Sequence, residues 1–187
     1  MIRECYDAEI ATIKQTADRM MTAAKTAPKA SGVDDVVAVA LTGEEKEKLA
    51  SEMRRISLTD EQLAFFGRDA QNVDDSPVIV LLGAKAVRFG IQEACQMCGF
   101  ENCAANAAAA NVKGGTGKGG TCVLPVTDLG IAIGSAVTVA QEMRVDNRVM
   151  FSAGKAALNL GILGNNVNVV YGIPLYTGSK SIFRDRK

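Results

Sequence analysis

Four of the five cysteines, Cys95, Cys98, Cys103 and Cys122, fall in one stretch with the spacing C-x2-C-x4-C-x18-C, in a chain that has no histidine. If the four thiolates share one centre, the chain must fold so that a tight loop carrying Cys95, Cys98 and Cys103 meets a distant arm carrying Cys122. Four thiolates can complete a tetrahedral zinc site or ligate a four-iron cubane, and iron–sulfur clusters characteristically take cysteine from the protein. Zinc ribbons more often pair two short knuckles, whereas here one knuckle is followed by a third cysteine and a lone fourth. A [4Fe-4S] cluster held by Cys95, Cys98, Cys103 and Cys122 is therefore the leading expectation, with zinc on the same residues as the alternative. Gly99 lets the backbone bend close to such a centre. Between Cys95 and Cys122, Glu101 is the only acid, against Lys113 and Lys118, and that balance suits an anionic cluster.

The lack of histidine excludes a Ser-His-Asp triad, a Cys-His pair and any His-bound metal. Asp128 is a candidate acid, but its place before an apolar helix favours a capping role. Gly115, Gly117 and Gly120 match G-x-G-x-x-G in form. They follow an Ala-rich helix and lead into CVLPV, however, so the strand-then-helix context of a dinucleotide fingerprint is missing. Lys118 is followed by Gly119 instead of Ser or Thr, which argues against a phosphate-binding P-loop. Arg144, Asp146, Asn147 and Arg148 read as a solvated ion-pair turn, and Lys180, Arg184, Arg186 and Lys187 as a solvated basic end.

At 187 residues the chain fits one domain with a genuine core. Lys plus Arg equal Asp plus Glu at 21 each, so bulk charge offers nothing to nucleic acid or an acidic membrane. The charged start MIRECYDAEIATIKQTADRM lacks the apolar centre of a signal peptide, which implies a cytoplasmic protein with reduced thiols. A disulfide framework is disfavoured, and Cys5 reads as incidental. The uncharged run Leu129 to Gln141 is too short to span a bilayer.

Apolar periodicity predicts a helix from about Asp7 to Ala27, a strand over 33–41, a helix over 44–56 and a short helix capped by Thr59 that runs to about Phe66. The continuous apolar run PVIVLLGAK reads as a buried strand. A helix is expected over 101–111, a Gly-rich loop to Cys122, a mostly buried helix over 129–143 capped by Thr127 or Asp128, and a helix from Ser152 to Leu163. A short strand over 167–171 and an extended tail from Pro174 complete the pattern. Helices alternating with three strands indicate a layered α/β or α+β domain.

The stretch ACQMCGFENCAANA resembles the small four-iron module of electron-transport complex subunits and corrinoid iron–sulfur proteins. Over nearly its whole length, through CGFENC, DLGIAIGSAV, VDNRVMFSAGKAA and GIPL, the chain resembles a family of uncharacterised prokaryotic ferredoxin-domain proteins, which implies cluster binding. The segments AAKTAPKASGVDDVVAVALTGEEKEKLA and DLGIAIGSAVTVAQEMRV resemble the flavin-dependent nitroreductase fold. That likeness implies a nitroreductase-like layered domain, a homodimer and FMN at the interface. The Arg-rich N-terminal motif that holds the flavin phosphate is absent from IRECYDAEIATIKQTADRM. The combined expectation is a redox protein for electron transfer or redox sensing with an unidentified redox partner, the alternatives being an FMN-dependent oxidoreductase and a zinc-binding interaction module.

Overall fold

A computed structural model describes residues 2, 4–85, 90–91, 94–109 and 120–184. Strand β2 (Val78–Lys85) lies at its centre and is buried along nearly its whole length. It pairs antiparallel with β1 (Val36–Leu41) on one side and β4 (Val167–Tyr176) on the other, and the two-residue β3 (Asp146–Asn147) closes the order β1-β2-β4-β3. Alternation along β2 sends Val78, Val80, Leu82 and Ala84 to one face and Ile79 and Leu81 to the other. Helices α1 (Cys5–Thr26) and α5 (Val123–Glu142) cover the first face through Ile13, Ala17, Met20, Leu129, Ala132, Ala136 and Ala140. Helices α2 (Gly43–Ser57), α3 (Phe65–Asp75) and α6 (Phe151–Leu160) cover the second, with Leu49, Met53, Phe66, Val73 and Ala157. The result is a three-layer α+β domain around an antiparallel sheet.

The structure corrects several boundaries. The helix expected to end near Phe66 is instead a 3-10 turn, Glu61–Leu63, followed by the full helix α3. Asp60, not Thr59, caps that turn, accepting from the Gln62 amide at 2.8 Å. β4 runs on through Pro174 to Tyr176, where an extended tail was expected. Gly172 exchanges hydrogen bonds with Met150 on the side away from β2. Residues two apart in a strand face the same side, so the proline nitrogen, which has no hydrogen to donate, points into the gap between Met150 and the short β3. The helix expected over 101–111 is described as α4 (Cys103–Ala108), with Ala110 and Asn111 outside the described residues.

α5 departs furthest from expectation. It starts at Val123, six residues early, because Pro125 sits within its first turn, where a missing amide hydrogen costs nothing. At 20 residues with mean hydropathy 1.7 it is long and apolar enough to cross a membrane, correcting the shorter run read from sequence. Its Leu129–Ala140 face instead packs on α1 and β2 inside the core.

α6 and β4 approach closely through glycine. A Cβ on Gly154 would stand 1.8 Å from the Val170 carbonyl oxygen, which the backbone cannot accommodate without shifting. Ser152, fully buried at the start of α6, donates to Asp69 of α3 at 2.6 Å and fixes the rotation of the helix. Gly154→Ala should therefore lower stability by about 1–3 kcal/mol through overpacking, measured by urea denaturation.

Candidate functional site

The cysteine-bearing segment is built from turns and helix starts. Cys95 and Cys98 lie in a turn in which Gln96 (φ 49°) and Gly99 (φ 79°) both adopt the left-handed conformation, and the Gly99 amide donates to the Gln96 carbonyl at 3.0 Å. Cys103 is the first residue of α4, whose cap is Asn102, its side-chain oxygen accepting from the Ala105 amide at 2.8 Å. Cys122 is the N-cap residue of α5. All four thiols are half-buried and none forms a disulfide. Among the described residues, no three Cys, Asp or Glu side chains stand close enough together to hold a metal ion. The donor set is nonetheless the chemistry that a soft metal or iron–sulfur centre takes: four reduced thiols, two of them at helix starts, with Cys122 opening a 20-residue helix whose N-terminal amides favour negative charge.

Cys5, by contrast, is exposed and donates to Glu9 at 3.4 Å; that hydrogen bond, and then the carboxylate's charge, push its thiol pKa up. Of the Gly-rich motif, Gly115 and Gly117 fall outside the described residues, as do Lys113 and Lys118, and Arg186 and Lys187 of the basic end. Arg148 donates to the Phe183 carbonyl at 2.8 Å, so the polar corner anchors the chain's final segment.

Asp128 does not cap α5. It lies in the helix's second turn, 4% exposed, and both its oxygens accept from the Ala30 amide at 3.0 Å, capping a 3-10 turn (Ala30–Gly32) instead. Its neighbour Asp35, immediately before β1, is fully buried, and as a carboxylate it has no hydrogen-bond partner at either oxygen. Burial, then the charge and hydrogen bond of Asp128, push Asp35 up to about 6; Lys29 opposes the shift, but its ammonium is bonded to the carbonyls of Ala24, Lys25 and Ala27. Protonation of Asp35 removes its charge beside Asp128 and gives the buried pair a donor. This pair was missed from the sequence, where Asp34-Asp35 before an apolar strand was its only trace.

The chain is 40% identical over 175 residues to an uncharacterised protein of Archaeoglobus fulgidus, a match covering 93% of this chain and 91% of the relative. Residues 118–186 also match a family model described as an uncharacterised protein containing a ferredoxin domain (DUF2148). The chain belongs to this family. The matched part of the family model includes Cys122 but not the other three cysteines. Membership supports an iron–sulfur redox role at the level of the family. Among solved structures, this ferredoxin-domain chain is similar to the hypothetical oxidoreductase YcnD from Bacillus subtilis (TM-score 0.57, 18% identity, 89% of this chain and 58% of that one). It is also similar to a nitroreductase-like family protein from Bacillus cereus (0.55, 13%, 93% and 80%). A third match is NADPH:FMN oxidoreductase from Vibrio harveyi, solved with NAD+ (0.53, 14%, 89% and 60%). The fold is thus nitroreductase-like, and the chain spans about three-fifths of the length of the first solved structures it matches.

Asp35 has a folded pKa above the ordinary carboxyl value, so its contribution is fully present below about pH 4 and is lost as pH rises through about 6. Asp35→Asn keeps a neutral partner for Asp128 at every pH. Its stability relative to the unsubstituted chain should therefore rise by about 2–3 kcal/mol between about pH 4 and about pH 7, read from paired urea titrations.

Proposed function

We propose that the chain is an iron–sulfur redox protein that holds one [4Fe-4S] cluster on Cys95, Cys98, Cys103 and Cys122 and acts in electron transfer or redox sensing in the reducing cytoplasm. The observation that carries the reading is the set of four reduced, half-buried thiols on a turn and two helix starts, in a member of a family described as containing a ferredoxin domain. Bound there, the cluster supplies one-electron chemistry. The chain's part is to present four thiolates, to turn the backbone sharply at Gly99 between Cys98 and Cys103, and to set the amide end of α5 against negative charge. Anaerobically purified protein should contain about four irons and four sulfides per chain and absorb broadly near about 400 nm. Cys98→Ser should lose or convert the centre, and Cys5→Ser should leave it unchanged. Stoichiometric zinc in a colourless protein would instead support the structural zinc reading.

The nitroreductase-like fold favours a second reading, a flavin-dependent oxidoreductase, since a solved relative in fold is an NADPH:FMN oxidoreductase. The missing Arg-rich motif near the N-terminus weighs against it. FMN that stays with the protein through gel filtration after reconstitution would support this reading, and complete loss of the flavin would end it.

A homodimer belongs to the same proposal. Only 33% of the apolar α5 window is buried, and its outer face exposes Val126 and Ile131, with Gly130 and Gly134 beside them offering open space. Ile131→Lys should convert a dimer to a monomer in sedimentation equilibrium while leaving the far-ultraviolet circular dichroism unchanged.

A further inference from the structure

We infer that Asn106 is the positioning residue of the cysteine centre, a clip that holds Gly120 and Thr121, and with them Cys122, against the helix that begins at Cys103. The inference rests on the four-cysteine reading and adds to it the residue that sets the place of the fourth thiol.

Asn106 stands one turn after Cys103 in α4 and is 1% exposed. Its backbone carbonyl accepts from the Gly120 amide at 2.8 Å, and its side-chain amide donates to the Thr121 carbonyl at 3.4 Å. One residue thus grips two consecutive positions immediately before Cys122. The approach is close: a Cβ on Gly120 would lie 2.8 Å from the Asn106 side-chain nitrogen and 3.0 Å from the Phe100 ring, so the Asn106 side chain would have to shift. From the other side, Asn168 of β4 donates to the Thr121 hydroxyl at 3.3 Å, tying the same junction to the sheet.

The arrangement answers the difficulty set by the spacing. Eighteen residues separate Cys103 from Cys122, and bringing the ends of such a segment together costs chain entropy whether or not a metal is present. A buried amide that already joins the two ends lowers the ordering left for a metal to impose, as outer-shell hydrogen bonds do for ligands in metal sites generally. Asparagine suits the place because its buried side-chain amide donates to the Thr121 carbonyl while its own backbone carbonyl accepts from Gly120, so both its groups are satisfied by the incoming arm.

The test is anaerobic titration of the full chain with Co2+, followed by thiolate-to-cobalt charge-transfer absorption, alongside amide hydrogen exchange of residues 120–122 in the metal-free protein. Asn106→Leu keeps the branched shape of the side chain and removes the donor; Gly120→Ala attacks the same contact from the other side if the first variant folds poorly. Both should weaken Co2+ binding by about tenfold or more, shift the absorption toward that of Cys122→Ser, and speed exchange at 120–122 without metal. Folded variants that match the unsubstituted chain in affinity, spectrum and exchange would overturn the clip. An unsubstituted chain that takes up no Co2+ would overturn the four-cysteine reading itself.

Discussion

Strand β2 is buried on both faces, and the layering of the molecule follows from that burial. Antiparallel sheets commonly leave one face to water. Here Val78, Val80 and Leu82 require cover on one side, Ile79 and Leu81 on the other, and each contributes about 1.5–3 kcal/mol when fully removed from water. Two helices meet the first demand and three the second. Gly154 lets α6 approach the β4 backbone, and Ser152 hydrogen-bonded to Asp69 joins α6 to α3, so the second layer is fixed by close approach as well as by apolar contact.

Helix α5 joins this core to the candidate centre. Its Leu129–Ala140 face belongs to the sheet, its second turn carries Asp128 opposite Asp35, and its N-cap is Cys122. The start of the helix is therefore constrained from three directions: apolar packing, the hydrogen bond from the Ala30 amide to Asp128, and the junction at Gly120 and Thr121. Asp35 is costly as an isolated carboxylate in such surroundings, and its proximity to Asp128 makes the neutral form the one that fits.

The fold and the proposed chemistry have separate supports. Similarity to nitroreductases establishes the layered architecture at low sequence identity, and a shared fold does not carry flavin chemistry with it. The iron–sulfur role rests on the cysteines and on family membership. The two meet at α5, which supplies both a core face and the residue that begins the cysteine arm.

The sequence by itself determined the central strand and the apolar stripes of α1 and α2, because each is written in local residue order: a continuous apolar run and a helical repeat. It did not show where α5 begins, since Pro125 reads as a breaker until it is seen within a first turn. It did not show that β4 continues through Pro174, since a proline nitrogen is tolerated there only because its neighbour β3 is short. Asp128 read as a cap for the helix that contains it, whereas it serves the Ala30 amide 98 residues away. The Asp35–Asp128 pair and the Asn106 clip were likewise decided by tertiary structure alone. Both join residues far apart in the chain, and burial, hydrogen bonding and charge act on neighbours in space, which the order of residues records only where the contact is local.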